Sequence, residues 1–211
     1  MYNTWQQWDG TGRPRRFLRP GGDTIYYLRE YIPGKSFHED ATSSIIYDLK
    51  KSPSVPENQL YYKNKAIEDF ASDIFRLLFL VPHRFCITDI PPSKCLGDPE
   101  YDDRIERVIA CLCQKVPNAL YVRCFTKKYS TAPLHIRGHR DPMRIAASWE
   151  YTRPNITKDI KEIIVVDDVL TTGASMRAAF DLLQKDFPWQ PLKGIVWALV
   201  VDPPEQEISQ A

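Results

Sequence analysis

Glycine is scarce, at nine of 211 residues, which excludes a collagen-like chain and a flexible glycine linker. No stretch of 18 apolar residues exists, so nothing reads as a membrane span. The opening, MYNTWQQWDG, lacks the apolar centre of a secretory signal, and a cytoplasmic location is expected. Neither sign of charge is in surplus: 28 Lys and Arg stand against 27 Asp and Glu. That balance excludes a uniformly basic nucleic-acid coat and a self-repelling acidic chain. The five cysteines (Cys86, Cys95, Cys111, Cys113 and Cys124) include no CxxC pair, and Cys111 and Cys113 are too close for the usual zinc knuckle. Free buried thiols in a reducing compartment are the expectation.

What remains is an ordinary globular composition, 43% hydrophobic and 26% charged, enough to bury a core. The length suits one domain with an elaborate extension. Prolines interrupt the first 22 residues, where Arg13, Arg15, Arg16 and Arg19 form a basic arm. Such an arm is either solvated or docked on an acidic partner or nucleic acid. Across 24–51 the spacing of Ile25, Leu28, Ile32, Ile45, Ile46 and Leu49 predicts two short helices around Pro33-Gly34. A longer helix is predicted over 60–81, with Ile67, Phe70, Ile74 and Leu78 on one stripe. These elements make residues 1–82 a mainly helical extension.

The pattern changes after Pro82. Short apolar runs at 84–90, 119–125, 161–166 and 193–201 alternate with helical stretches at 101–114 and 175–185. The reading is an α/β fold with a Rossmann-like parallel sheet over 83–211. Residues 126–154 are polar, rich in Arg, His and Pro, and too long for an ordinary connection. His135 and His139 there lack a third metal ligand, and Gly138 interrupts any helix between them.

The third apolar run leads directly into Asp167, Asp168, Val169, Leu170, Thr171, Thr172, Gly173, Ala174 and Ser175, and a helix follows. Residues 171–175 offer successive backbone N–H groups, hydroxyls and a helix N-terminus, which together make a nest for a dianionic phosphate. Gly173 lets backbone approach closely. Asp167 and Asp168 suit a diol of sugar hydroxyls and stabilise positive charge developing on that sugar. Two acids alone would read as a solvated strand end, and Thr172 or Ser175 as a plain helix cap. A Walker lysine and a GxGxxG run are both absent, which argues against nucleoside-triphosphate and dinucleotide folds.

The whole run, IIVVDDVLTTGAS, resembles the phosphoribosyl-diphosphate (PRPP) signature of type I phosphoribosyltransferases. The resemblance covers roughly 84–201 and implies that family's fold. It implies a pyrophosphate loop after the first core strand, where Asp89-Ile90-Pro91-Pro92-Ser93-Lys94 stands, with Ser93 and Lys94 as ligands. Taken alone, Lys94 would be an exposed lysine. Arg104, opening the next helix, would reach the same loop, while Asp102 and Asp103 favour the helix N-terminus. It further implies that 126–154 is a mobile loop closing on pyrophosphate with Lys127, Lys128, Arg137, Arg140 and Arg144. Magnesium would arrive on PRPP, with no site held by protein alone beyond help from Asp167 and Asp168.

By that resemblance the chain is a glycosyltransferase of nucleotide metabolism, moving 5-phosphoribosyl from PRPP to a nitrogen nucleophile. Its catalytic residues would be Asp167, Asp168, Lys94, Arg137 and Arg140. Thr171 stands where 6-oxopurine members place an aspartate base, which argues against that salvage role. The zinc-binding start of competence-type relatives is absent, and no hood aligns before Pro82. A rival reading is a PRPP-sensing regulator or a subunit of a larger assembly, nucleic-acid-associated or anti-phage. The resemblance and the extra residues imply a homodimer or such a subunit, with nucleic acid reached through the arm and no membrane.

Overall fold

A computed structural model describes residues 4–34, 40–131 and 141–202. Its elements in chain order are β1 (Gln6–Gln7), a 3-10 turn (Arg13–Arg16), β2 (Thr24–Tyr31), α1 (Ala41–Leu49) and α2 (Glu57–Leu78). There follow β3 (Arg84–Asp89), α3 (Arg104–Cys113), β4 (Ala119–Tyr121), β5 (Phe125–Lys127), α4 (Pro142–Ala147), β6 (Trp149–Tyr151), β7 (Ile160–Leu170), α5 (Ala174–Asp186) and β8 (Leu192–Val200). One six-stranded sheet has the order β1-β2-β8-β7-β3-β4. All its pairs are parallel except the edge pair β1–β2. The architecture is α/β with a mostly parallel mixed sheet, compatible with a Rossmann-like arrangement.

Both faces of the sheet are covered, as its continuous apolar strands require. Helices α1, α2 and α3 pack on one face around Phe70, Ile74, Phe85, Ile87, Val108 and Trp197. Phe70 stacks on Trp197 with ring centroids 4.8 Å apart. Helix α5, with α4 and a separate β5–β6 hairpin-like sheet, packs on the other around Ile25, Cys86, Ile163, Val165, Trp149 and Phe180. Because β3 leads to β4 through α3, and β7 to β8 through α5, the chain turns opposite ways from two adjacent strands. Their carboxyl ends therefore open a crevice, the place where such sheets take ligands.

The stretch 24–31 corrects the expectation of paired helices. TIYYLREY is rich in β-branched and aromatic residues, and its alternation settles it as a strand. Ile25 and Tyr27 face the α5 side, while Tyr26 and Leu28 face the α1–α3 side. The helical spacing of Ile25, Leu28 and Ile32 arises because β2 carries apolar side chains on both faces, Ile25 and Tyr27 on one and Tyr26 and Leu28 on the other. β2 pairs with β8 through Thr24↔Lys193 to Tyr31↔Val200, so the first 82 residues extend the sheet as well as cover it. The 119–125 run also divides: β4 joins the large sheet, whereas Phe125 starts β5 in the small one. Within 126–154 the structure likewise has β5, α4 and β6 where a long connection is expected.

Among the described residues no helix is long and apolar enough to cross a membrane. All five cysteines are free. Burial pushes the Cys86 thiol up to about 12 and that of Cys124 to about 11, which leaves both unreactive at neutral pH.

Candidate functional site

A cleft of about 920 Å³ lies over the carboxyl ends of β3 and β7. Its walls include Pro91, Pro92, Ser93 and Lys94 after β3, Thr171, Thr172 and Ser175 after β7, and Lys50 from the end of α1. Strand β7 runs to Leu170, four residues beyond the apolar run read from the sequence, so the acid pair stands inside the strand. Gly173 then turns the chain with φ 79°, the left-handed region that suits glycine, and α5 begins. No side chain caps α5 at Gly173, and its first-turn N–H groups face the turn without a capping oxygen. Thr172 Oγ1 is buried and has no hydrogen-bond partner among the described residues.

The close approach expected at Gly173 is made by the protein's own N-terminal arm. A Cβ there would stand 2.7 Å from Leu18 Cγ and 3.2 Å from the Pro14 carbonyl oxygen. The glycine thus admits the N-terminal arm against the nest. Leu18 and Pro14 are buried, and Arg13 lines the cleft while pairing with Asp202 at 2.7 Å. The basic arm is docked along this part of its length.

The two acids have different surroundings. Asp167 is half-buried and lines the cleft, and its Oδ1 accepts the Asp168 backbone N–H at 2.8 Å. Asp168 is buried and ion-paired twice, to Arg104 at 2.6 Å and to Lys50 at 3.2 Å. Burial by itself would raise the Asp168 carboxyl, but Lys50 and Arg104 outweigh it and hold it well below the usual carboxylate range. Asp167 moves the other way, pushed up first by burial and then by the charge of Asp168.

Arg104 does not extend to the Ser93–Lys94 loop as expected. It bridges Asp168 and Asp102, donating to Asp102 Oδ2 at 2.6 Å. Asp102 in turn accepts from Lys63 at 2.9 Å, and Lys63 donates also to the carbonyls of Leu49 (3.2 Å) and Lys51 (2.6 Å). Those carbonyls flank Lys50. Lys63–Asp102–Arg104–Asp168–Lys50 is therefore a closed circuit that ties α1, α2, α3 and β7 together at the cleft.

Lys94 lines the cleft and lies 3.6 Å from Asp98. Thr131 N–H donates to the Ser93 carbonyl at 2.8 Å, fastening this loop to the segment after β5. At the end of β3, Asp89 is buried against the cleft and accepts from the Tyr121 hydroxyl at 3.0 Å. Its carboxyl is raised to about 6, chiefly by burial. Behind it Glu106 accepts from both Tyr101 and Arg123.

Of the cations expected on the 126–154 segment, Lys127 is buried in β5 and lines the cleft. Lys128 donates to the Ala147 carbonyl at 3.0 Å, and Arg144 is exposed near Asp141. Arg137, Arg140, His135 and His139 lie outside the described residues. Serine 93, Thr171 and Ser175 come together in the cleft wall, while Gly173 and Ala174 are buried behind it.

Sequence reasoning missed Lys50 and Lys63. The signal at Lys50 was a lysine following a helical stretch, which ordinarily marks a solvated helix end, and Lys63 reads as a solvated position on a helix face. It also took Asp102 for a helix-dipole charge, although that acid is the hinge of the circuit. The chain matches no family model and no curated protein.

Proposed function

We propose that the cleft binds PRPP and that the chain transfers its 5-phosphoribosyl group to a nitrogen nucleophile, releasing pyrophosphate. The observation that carries this reading is the juxtaposition at the β3/β7 switch point. An acid pair, a left-handed glycine turn and an uncapped helix start follow one another after β7, facing the Ser93–Lys94 loop after β3. The order of these parts supports a type I phosphoribosyltransferase fold.

In this reading the 5′-phosphate sits on the first-turn N–H groups of α5 with Thr172 Oγ1 as a further donor. Asp167 accepts from the ribose hydroxyls. Asp168 adds negative charge beneath the sugar once Arg104 and Lys50 share it with ligand. As the bond from the anomeric carbon to pyrophosphate breaks, its electrons leave on pyrophosphate and a C–N bond forms. Positive character on the ribose is then stabilised by the acids, and Lys94 faces the leaving group. Asp167 Oδ2 has no partner among the described residues and is a hard oxygen donor, so it fits one position around a magnesium ion brought by PRPP. Such an ion supplies charge neutralisation for pyrophosphate.

The pairing of Asp168 with two of the chain's own cations favours a second reading, a PRPP-binding regulator or subunit without turnover. Pyrophosphate release from PRPP across a panel of nitrogen heterocycles and amines separates the two. Base-dependent release supports transfer. Saturable PRPP binding without release under any condition supports the regulator.

A further inference from the structure

The cleft continues past the turn after β7. Its lining runs on over the carboxyl ends of the next two strands, to Val200 at the end of β8 and Tyr31 at the end of β2, which are in register. Ile46 and Lys50, one helical turn apart at the end of α1, and Arg13 of the N-terminal arm also line the cleft. Among the described residues, none of the acids lining the cleft comes from the arm, β2, α1 or β8. This compartment is therefore apolar at Tyr31, Ile46 and Val200 and cationic at Arg13 and Lys50.

Arg13 is held firmly by its backbone and loosely by its charge. The next carbonyl, that of Pro14, accepts the N–H groups of Phe17 and Leu18 at 3.1 Å each, and Leu18 is buried at the Gly173 turn. Farther along the arm, Arg177 of α5 grips both oxygens of Asp23, at 2.9 and 3.0 Å. The Arg13 guanidinium, in contrast, meets Asp202 in a pair whose side chains are 46% and 62% exposed. Water screens so open a pair, and another anion can replace Asp202 in it. A fixed backbone that carries an exchangeable charge is a pre-organised recognition group.

We propose that this compartment takes a largely apolar molecule bearing a carboxylate, and that Arg13 recognises the carboxylate in exchange for Asp202. The planar guanidinium matches such a group. β8 and β2 lie on the far side of β7 from the Ser93–Lys94 loop. A molecule held there meets the sugar opposite the leaving pyrophosphate, the side from which a nucleophile displaces it. Its identity as the acceptor rests on the PRPP reading above.

The test is nuclear magnetic resonance of the full chain with 13C-labelled tyrosine, in which Tyr31→Phe identifies the Tyr31 signal. Benzoate should move that signal saturably, and benzamide, its uncharged isostere, should bind at least about tenfold more weakly. Arg13→Gln, at a half-exposed position, should weaken benzoate binding by about tenfold. Asp202→Asn should bind benzoate as well as wild type or better, because it removes the competing carboxylate. A Tyr31 signal unmoved by benzoate, equal affinity for benzoate and benzamide, unchanged benzoate affinity in Arg13→Gln, or weaker binding in Asp202→Asn each overturns the proposal. Magnesium-PRPP is titrated separately. Benzoate binding by a protein that ignores PRPP supports the compartment and removes only its acceptor role, whereas PRPP binding without benzoate binding overturns the compartment and spares the donor site.

Discussion

Arg104 on α3 sends both Nε and Nη2 to a single oxygen of Asp168, at 2.9 and 2.6 Å, across 64 positions of chain. The buried acid of the pair is thus held by the protein's own guanidinium, with Lys50 on its other oxygen. A ligand reaching Asp168 must share it with cations that are already in place. That arrangement keeps the carboxylate ionised and aimed, and it leaves Arg104 anchored by Asp102 during any exchange.

The circuit gives Lys63 a structural weight unusual for a lysine. Lys63→Met strands Asp102 from one partner and leaves the Leu49 and Lys51 carbonyls without their donor. Breaking a buried pair in this way should lower unfolding free energy by about 3 kcal/mol. Urea denaturation compares the variant with wild type, and a difference near zero would show that solvent already screens the pair.

Thr172→Val should separate stability from binding. The hydroxyl is buried without a partner among the described residues, so an apolar replacement of similar shape leaves stability equal or higher. Ribose 5-phosphate binding should weaken by about 10- to 100-fold through loss of one donor to an anion. Thermal melts and calorimetry read the two effects, and the expectation fails if the melt drops while affinity holds.

At Gly173 two penalties are separable. Alanine must adopt positive φ, at about 1–2 kcal/mol, and its Cβ collides with Leu18, a further overpacking cost of about 1–3 kcal/mol. In a Leu18→Ala background the second penalty should shrink to the tight contact with the Pro14 carbonyl, and the first should persist. A double-mutant cycle by chemical denaturation measures the coupling, and strict additivity contradicts the contact.

Asp89 gives a pH dependence of unusual sign. A carboxyl raised from 3.8 to about 6 stabilises the fold fully only below pH 3.8, and that contribution is lost as pH rises through about 6. Asp89→Asn, whose amide oxygen can still accept from Tyr121, should match wild type near pH 4 and exceed it at pH 8 by up to about 3 kcal/mol. Denaturation curves at both pH values are required. Equal stability at pH 8 would mean the carboxylate is compensated.

The sheet from Arg84 onward was legible because buried parallel strands are short apolar runs and α3 and α5 carry a 3.6-residue stripe. The turn after β7 was legible too, since its glycine, hydroxyls and acids follow one another in the chain. β2 was not, because a strand apolar on both faces mimics a helical stripe. Nor was the circuit: Lys50, Lys63 and the Asp102–Arg104 pair come from three separate parts of the chain, and each has an ordinary local reading as a solvated helix charge. Contacts of that kind exist only after α1, α2 and α3 have packed on one face.

Calorimetric titration of magnesium-PRPP into wild type and Asp168→Asn tests the functional reading most directly. Wild type should bind saturably, and the asparagine variant should bind at least about tenfold more weakly, because an amide cannot replace the negative charge beside the ribose. No binding to wild type, or equal affinity in both proteins, would contradict a PRPP site at this turn.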